Sequence, residues 1–198
     1  MTTGNDKTRL RREFLERRNS LTVPQIRAWS SIIQDKVINR SEYKSASAIG
    51  VYFPFNSEVM TQAIIGTSLG KKKIGLPRIV GNQIKFYEIA SFDWLDQLSV
   101  NKYGIKEPII SNDISESISL LIIPGTVFDS EGYRLGYGKG YYDRFISHMK
   151  QLEKPPFTIG LAFDLQLFDG SLPYTKLDER MNMIVTERRI ISVNRTNQ

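Results

Sequence analysis

The sequence contains no cysteine and only one histidine in 198 residues. The lack of cysteine excludes a disulfide scaffold and thiolate metal sites, and it fits a reducing compartment. His148 has no second histidine near it to form an HxH or HExxH pattern, so we do not predict a zinc site or a catalytic histidine. These absences leave phosphates, carboxylates, backbone groups and aromatic rings as the chemistry to look for.

Long apolar runs are also absent. The longest, ISLLIIP (118–124), is the size of a strand and far short of the roughly 20 residues that a membrane span needs. The first residues, MTTGNDKTRLRREF, have no apolar core typical of a signal peptide. We therefore expect a cytoplasmic protein without a membrane partner. The length and the 40% hydrophobic content favour one globular domain over residues 1–198.

The charge is strongly positive, with a formal net value of +6 and a sequence pI near 9.5. A charge of this size can simply aid solubility, or it can attract nucleic acid or acidic small molecules. The cations occur in short groups, such as KTRLRREFLERR (7–18) and KKK (71–73), and they form no single long basic tract. The charge alone leaves the three explanations open.

Hydrophobic periodicity and capping signals predict alternating helices and strands. Thr22, Pro24 and Gln25 form a strong helix start, with a cap, a first-turn proline and a capping-box partner. Asn56 or Ser57 is expected to cap another helix, whereas residues 91–117 are polar and predict a loop. The predicted helices are 6–19, 22–40, 56–69 and 141–152, and the predicted strands are 47–55, 71–79, 83–89, 118–125, 158–163 and 182–187.

This alternation predicts an α/β fold with a mostly parallel sheet flanked by helices on both faces, a Rossmann-like three-layer αβα arrangement. In open sheets of this kind, ligands bind outside the carboxyl ends of the strands, on loops that lead into helices. The stretch RLGYGKGYYDRF (134–145) has that location, between the buried strand 118–125 and the helix 141–152.

The stretch 134–145 combines three glycines at alternate positions with cations and tyrosines. Glycines let backbone N–H groups approach an anion, and Arg134 and Lys139 add positive charge. The pattern fits neither a Walker loop, since Gly140 follows Lys139, nor the dinucleotide fingerprint, whose glycine spacing differs. A glycine turn with solvated cations is the simpler alternative.

Several other charged residues are candidates with ordinary alternatives. Asp143 could reach a magnesium ion that bridges phosphates, or it could only face the positive end of its helix. Asp178 could be a second metal ligand or a loop acid. The cations of the first helix, among them Lys7 and Arg11, could clamp phosphates or form a solvated face. Glu58 could accept hydrogen bonds from a bound ring or be a first-turn glutamate.

The segment PGTVFDSEGYRLGYGKGYYDRF (124–145) resembles the signature of the 5-formyltetrahydrofolate cyclo-ligase family, also called methenyltetrahydrofolate synthetases. The irregular pattern over 22 residues is specific. Family-like pieces also occur in the expected order along nearly the whole chain: KTRLR (7–11), YFPFNSEV (52–59), LPR (76–78), YGIKEP (103–108) and LDERMNMIVTE (177–187).

The resemblance implies an ATP- and Mg²⁺-dependent closure of 5-formyltetrahydrofolate to 5,10-methenyltetrahydrofolate through a phosphorylated formyl group, with release of ADP and phosphate. Phosphoryl transfer needs positioning and charge stabilisation rather than a protein nucleophile, which agrees with a loop rich in cations and N–H groups. The implied partners are ATP and a folate, which could carry a polyglutamate tail; we expect no nucleic-acid partner and a monomer.

The resemblance also implies roles for individual residues. Tyr103 is expected to pack on the folate, and Phe53 and Glu58 to hold it, together with the centre of the loop. Asp143 and Asp178 match the magnesium positions, and Arg134, Lys139 and Tyr142 match the catalytic ones. The expected ATP contacts are Lys7, Arg11, Arg134, Leu135, Gly136, Tyr137, Gly138, Lys139, Gly140, Tyr141 and Tyr142, of which Tyr137, Gly138, Lys139, Gly140 and Tyr141 would also line the folate.

Two positions depart from the family pattern. Tyr137 stands where many members carry arginine, and Asn182 stands where many carry aspartate. Two rival functions also remain: a non-catalytic nucleic-acid-binding protein, and another small-molecule phosphotransferase on a related fold. Affinity that falls steeply with salt and no ATP turnover would favour the first rival. Release of ADP that does not depend on folate would favour the second.

Overall fold

The computed structural model describes residues 3–91, 93–101 and 104–193. The helices are α1 Thr3–Asn19, α2 Val23–Ile38, α3 Ser41–Ser45, α4 Gln62–Ser68 and α5 Tyr141–Gln151. The strands are β1 Ala48–Val51, β2 Lys73–Val80, β3 Gln83–Ile89, β4 Leu98–Val100, β5 Lys106–Pro108, β6 Leu120–Pro124, β7 Val127–Asp129, β8 Arg134–Leu135, β9 Phe157–Leu161, β10 Leu167–Phe168, β11 Met183–Val185 and β12 Ile190–Ser192. In the described part of the chain, no helix is long and apolar enough to span a membrane.

A seven-stranded sheet in the order β12-β11-β9-β6-β1-β2-β3 forms the centre of the fold. The five inner strands run parallel, and only the edge strands β12 and β3 pair antiparallel with their neighbours. This confirms the predicted α/β class with a mostly parallel sheet. The chain passes from β1 to β2 on one side and later from β6 to β9 on the other, so the strand order reverses between β1 and β6.

The central strand β6 shows why the sheet has helices on both faces. Its residues are apolar in succession, and alternate side chains point to opposite faces. Leu120 and Ile122 belong to the core that α2 and α4 cover, whereas Leu121 and Ile123 pack in the core under α5. A smaller core, which includes Leu10 of α1, joins that helix to the short sheet of β7, β8 and β10.

The sequence predicted the start of α2 correctly. The Thr22 side chain accepts a hydrogen bond from the Gln25 backbone N–H, and the Gln25 side chain accepts one from the Thr22 N–H. These reciprocal bonds satisfy N–H groups that lack partners in the first helical turn. Pro24 lies in that turn, where its missing N–H costs nothing.

Several predicted elements were wrong in extent. The strand predicted over 47–55 ends at Val51, and the helix predicted from residue 56 begins only at Gln62. Asn56 has a φ of 52°, outside the helical region, so residues 52–61 form an irregular connection in place of a strand end and a first helical turn. The expected loop 91–117 contains the antiparallel pair β4 and β5, while α3, β7, β8, β10 and β12 were not predicted as separate elements.

Candidate functional site

A cavity of about 520 Å³ opens at the carboxyl ends of β1 and β6. Tyr52 and Phe53 follow β1, and Pro124 and Gly125 lie at the end of β6. The location is the strand-order reversal, where open α/β sheets bind ligands. Residues 134–143 all line this cavity, so the glycine-rich segment lies where the sequence analysis expected a ligand.

Helix α1 contributes two cations to this side of the cavity. The Lys7 ammonium donates to Asp178 Oδ2 at 2.7 Å, and Arg11 Nε donates to the Gly136 carbonyl at 2.8 Å. Burial by itself disfavours the Asp178 carboxylate, but the hydrogen bonds from Lys7 and Thr175 outweigh it and hold its pKa below the ordinary value. Lys7 and Asp178, which are 171 residues apart, thus form an ion pair at the cavity.

A second ion pair lies beside the first. Arg134 Nη1 donates to Asp143 Oδ1 at 2.9 Å and to the Glu179 carbonyl at 3.2 Å. The same Asp143 oxygen accepts the Glu179 backbone N–H at 3.0 Å. The Arg134 guanidinium also lies 6.0 Å from the centre of the Tyr142 ring. Arg134 is buried, and these contacts hold its guanidinium in place at the start of β8, where the sequence analysis had predicted no strand.

The three glycines of 134–145 differ in conformation. Gly138 has φ +90° and Gly140 has φ +64°, values that residues with a side chain rarely adopt. Gly136 has no such angle, and a Cβ placed there would meet nothing within 4 Å. Between the two left-handed glycines, Lys139 is exposed while its carbonyl accepts from Arg144 at 2.9 Å. Gly138 and Gly140 thus present Lys139 on a tight turn before α5.

Lys7, Arg11, residues 134–143 and Asp178 together form what we call the cation-rich wall. Its two carboxylates, Asp143 and Asp178, face the same cavity. Among the described residues, no three histidine, aspartate or glutamate side chains are grouped to hold a metal alone. Magnesium is commonly bound by one or two carboxylates with phosphate oxygens and water, so these two carboxylates fit a Mg²⁺–phosphate complex.

A second set of lining residues, which we call the aromatic wall, consists of Tyr52, Phe53, Phe55 and Glu58. Phe53 packs edge-on against Trp94 with ring centres 5.7 Å apart, and the Lys106 ammonium lies 5.6 Å from the Phe53 ring centre. Flat apolar faces next to a few polar groups suit a planar ligand ring. Tyr141, half-buried at the start of α5, closes the cavity between the two walls.

Glu58 is the buried charge of the aromatic wall. Its Oε2 accepts the Phe55 backbone N–H at 3.0 Å, and its Oε1 accepts the Tyr137 hydroxyl at 3.4 Å. Burial raises the pKa of Glu58, while the Arg18 charge and these hydrogen bonds act in the opposite direction. Burial and then the Glu58 charge raise the pKa of Tyr142, so this phenol stays neutral.

Arg18 is the functional candidate that sequence reasoning missed. It lies in the last turn of α1 and is only 1% exposed. Its guanidinium donates to Ser57 Oγ at 3.0 Å, to the Gly125 carbonyl at 3.3 Å and to the Tyr137 hydroxyl at 3.1 Å. Its partners come from three segments distant in sequence, so no local signal could have separated Arg18 from its neighbour Arg17.

Nearly all predicted site residues meet at the cavity, and Tyr103 lies outside the described residues. The sequence assigned no role to Arg78, Lys106 and Glu107, which also line it. The family-like pieces LPR (76–78) and YGIKEP (103–108) contain all three, and they were the available signal. Arg78 Nη1 donates to the Pro108 carbonyl at 2.7 Å, a contact that fastens β5 to β2 beside the cavity.

Two other polar residues of the motifs are structural. Asn182 Oδ1 accepts from the Thr158 N–H and hydroxyl, both at 2.9 Å, and Asn182 does not line the cavity. Asp129 of the signature is fully buried and accepts the backbone N–H groups of residues 131, 133 and 172. The departure at Asn182 therefore links β9 to the start of β11 and does not line the cavity.

Two motifs with catalytic potential elsewhere do not form sites. GTSLG (66–70) matches the nucleophile pattern GxSxG, which the sequence prediction overlooked. Ser68 is buried at the end of α4, where its Oγ lies 2.6 Å from the Tyr43 hydroxyl and donates to the Ile64 carbonyl at 2.8 Å. His148 is exposed on α5 and does not line the cavity. Neither residue is placed to act as nucleophile or base at the site.

Comparison with known proteins gives one family. The model of the 5-formyltetrahydrofolate cyclo-ligase family matches residues 3–187. The mouse 5-formyltetrahydrofolate cyclo-ligase is 28% identical over 196 residues, covering 94% of this chain and 96% of the relative. The 5-formyltetrahydrofolate cyclo-ligase of Escherichia coli K12 is 26% identical over 185 residues, covering 88% of this chain and 97% of the relative.

A solved structure supports the same assignment. The NMR structure of Aquifex aeolicus 5,10-methenyltetrahydrofolate synthetase superimposes with a TM-score of 0.82 at 30% sequence identity. The match covers all of this chain and 96% of that one. Since the family model spans far more than half of the sequence, the chain belongs to the 5-formyltetrahydrofolate cyclo-ligase family of enzymes.

Proposed function

We propose that the protein catalyses the ATP- and Mg²⁺-dependent conversion of 5-formyltetrahydrofolate to 5,10-methenyltetrahydrofolate, with release of ADP and phosphate. Family membership indicates cyclo-ligase activity in folate metabolism. The observation that carries the finer proposal is the cavity between the cation-rich and aromatic walls, which is lined by residues of the signature. It offers both charge for a triphosphate and flat surfaces for a pterin.

The cation-rich wall would hold the nucleotide. Lys7, Arg11, Arg134 and Lys139 supply four positive charges on one side of the cavity. Gly138 and Gly140 let the backbone between them approach phosphate oxygens. The ion pair with Asp143 holds the Arg134 side chain in one position. Lys139 is exposed, so its side chain can move with the phosphoryl group as that group is transferred. Leu135 and Gly136 also line the cavity as part of this wall.

The aromatic wall would hold the folate. Phe53 and Phe55, together with Tyr141 of the cation-rich wall, offer ring faces for the pterin, and Glu58 offers a carboxylate for its N–H groups. Tyr52 and Tyr142 flank Glu58 as neutral phenols, because burial raises both of their pKa values. We include Tyr103 among the folate contacts on the strength of the resemblance alone.

The chemistry needs no protein nucleophile. The formyl oxygen of the substrate attacks the γ-phosphorus of ATP, the bond to the β-phosphate oxygen breaks, and ADP leaves. The folate N10 then attacks the activated formyl carbon and loses its proton, and the carbon–oxygen bond breaks to release phosphate. The protein aligns the reacting atoms and stabilises the charge on the phosphoryl group.

Magnesium would be held by Asp143 and Asp178, whose carboxylates face the cavity beside the four cations. A bound Mg²⁺ would neutralise negative charge on the phosphate groups of the nucleotide. Each carboxylate is already paired, with Arg134 or Lys7. We infer that these ion pairs keep both carboxylates in place until Mg²⁺ and phosphate arrive. A cytoplasmic monomer of one domain completes the proposal.

The test mixes purified protein with 5-formyltetrahydrofolate, ATP and Mg²⁺ and follows the near-ultraviolet absorbance of the methenyl product. We expect a rise that requires all three additions, together with release of one ADP for each product formed. Release of ADP without folate would instead point to a different phosphotransferase. No rise from a folded protein would overturn the proposal.

A further inference from the structure

Arg18 is a buried cation without a direct acidic partner. Among residues 3–91, 93–101 and 104–193, no carboxylate oxygen lies within 4 Å of its guanidinium. Burying a charge without a close counter-charge is unfavourable unless hydrogen bonds and nearby charges compensate. Its neighbour Arg17 shows the ordinary alternative, since it is half exposed and pairs with Glu13. The burial of Arg18 therefore requires an explanation.

The Tyr137 hydroxyl connects Arg18 to the binding cavity. It accepts from Arg18 Nη2 at 3.1 Å and donates to Glu58 Oε1 at 3.4 Å. The Tyr137 ring is 53% exposed and lines the cavity, so only its hydroxyl end reaches the buried groups. Arg18 also donates to Ser57, which directly precedes Glu58 in the chain. Arg18 thus contacts both Ser57, the residue before Glu58, and the Tyr137 hydroxyl, which binds the Glu58 carboxylate.

We propose that Arg18 is a positioning residue, which acts through the Tyr137 hydroxyl and Ser57 to keep the Glu58 carboxylate ionised and aimed at the folate ring. This inference rests on the proposed function, because it takes a folate as the ligand of the aromatic wall. An ionised carboxylate accepts hydrogen bonds from ring N–H groups more strongly than a neutral acid does. Arg18 does not line the cavity, so it would act on the ligand only through Tyr137 and Ser57, two of its three hydrogen-bond partners.

The electrostatic surroundings of Glu58 agree with this geometry. Burial raises the Glu58 pKa, and Arg18, the Phe55 N–H and the Tyr137 hydroxyl counteract it. The other titratable groups that face Glu58 are Tyr52 and Tyr142, which remain neutral because burial raises their pKa values. Arg18 is thus the cation that favours the Glu58 carboxylate, and weakening its link should raise the Glu58 pKa further.

The decisive variant is Tyr137→Phe, which removes the connecting hydroxyl and keeps the ring. We expect the KM for 5-formyltetrahydrofolate to rise about tenfold and the KM for ATP to stay within about twofold, since one hydrogen bond to a charged group is lost. The acidic limb of kcat/KM for folate should move to higher pH, because more protonated Glu58 is present at a given pH. Arg18→Lys should act in the same direction, and Arg17→Lys is the matched control without effect.

A double-variant comparison tests the connection itself. If Arg18 and Tyr137 act through Glu58, then Glu58→Gln should lose the acidic limb, and adding Tyr137→Phe to it should change the folate KM little further. Independent effects that multiply would contradict the connection. Calorimetric titration with 5-formyltetrahydrofolate in the absence of ATP should give the same ranking of affinities.

A failure of the proposed function can be distinguished from a failure of the role of Arg18. If the wild-type protein forms no methenyl product, the proposed function fails and this inference fails with it. If the wild type is active but Tyr137→Phe leaves the folate KM and the pH profile unchanged, only the role of Arg18 is overturned. Equal increases in both KM values, or a lower melting temperature as the sole effect, would make Arg18 a structural residue. Because Tyr137 is half exposed, Tyr137→Phe tests the idea even if Arg18→Lys does not fold.

Discussion

The charged side chains of the two cavity walls are paired in different ways. On the cation-rich wall, Lys7 and Arg134 pair directly with Asp178 and Asp143, at N–O distances of 2.7 and 2.9 Å. On the aromatic wall, Glu58 is buried, and the Arg18 guanidinium is connected to it through the Tyr137 hydroxyl. Direct pairs can exchange partners when a phosphate and a metal arrive, whereas a buried, connected carboxylate is preorganised for one ligand. The comparison indicates that the cation-rich wall can exchange its ion pairs for ligand contacts, whereas the aromatic wall is preorganised to recognise one ligand.

The largest expected effect comes from changing Lys139, an exposed cation of the cation-rich wall. Lys139→Ala should lower ATP-dependent turnover about 100-fold or more, since one charge-stabilising donor at a reacting phosphoryl group is lost. Stability should hardly change, because the Lys139 side chain is exposed. Steady-state kinetics and thermal unfolding would measure the two quantities, and exposed Lys71→Ala, outside the cavity, is the control. Activity like that of the wild type would remove this role for Lys139.

The next effect should fall on the metal carboxylates. For Asp143→Asn we expect the Mg²⁺ concentration at half-maximal rate to rise about tenfold, because an amide is a weaker magnesium ligand than a carboxylate. The KM for folate should not change, since Asp143 belongs to the cation-rich wall. A magnesium titration at saturating substrates checks this, with exposed Asp35→Asn as control. An unchanged metal requirement would contradict the assignment.

A pair of glycine variants separates backbone conformation from side-chain charge. Gly138→Ala should cost about 1–2 kcal/mol of local strain, because the native φ of +90° disfavours a side chain, and the KM for ATP should rise. Gly136→Ala should be nearly neutral for stability and should cost no backbone strain, since its Cβ would meet no protein atom within 4 Å. Equal behaviour of the two variants in ATP kinetics would show that the left-handed turn is unimportant.

The smallest effect concerns stability. Lys7→Met should lower the free energy of unfolding at neutral pH by about 1 kcal/mol or less, as is typical for one partly exposed ion pair. The folded-state pKa of Asp178 is lowered, so the pair stabilises the protein above the ordinary carboxyl pKa and loses this effect as the pH falls through the folded-state value. Denaturant unfolding at neutral and strongly acidic pH would test this. A difference that persisted in strong acid would contradict it.

The comparison also shows how far sequence reasoning reached. The cation-rich wall was mostly predictable, because its residues cluster in one irregular signature whose glycines, cations and acid suggest phosphate binding. The two ion pairs of this wall were not predictable, since residues such as Lys7 and Asp178 are brought together only by the fold. On the aromatic wall, Phe53 and Glu58 were predicted from the resemblance, but the residues that hold Glu58 in place were not.

The errors in the fold have a physical cause as well. Periodicity and capping are local signals, and they predicted α2, β3 and β6 closely. Residues 56–59 also carry a local helix-start pattern, yet the chain keeps an irregular turn there that points Glu58 into the cavity. Tertiary contacts outweighed local propensity at the position where the site needed it.

The sequence by itself determined the fold class, the family resemblance and the place of the glycine-rich segment, because these depend on patterns within short stretches. The tertiary structure alone decided which charges pair, which are buried and which face the ligand. Arg17 and Arg18 illustrate the difference: they are adjacent and chemically identical, and only packing against Ser57, Gly125 and Tyr137 buries one of them. Burial and pairing arise from contacts between distant segments, which no local pattern encodes.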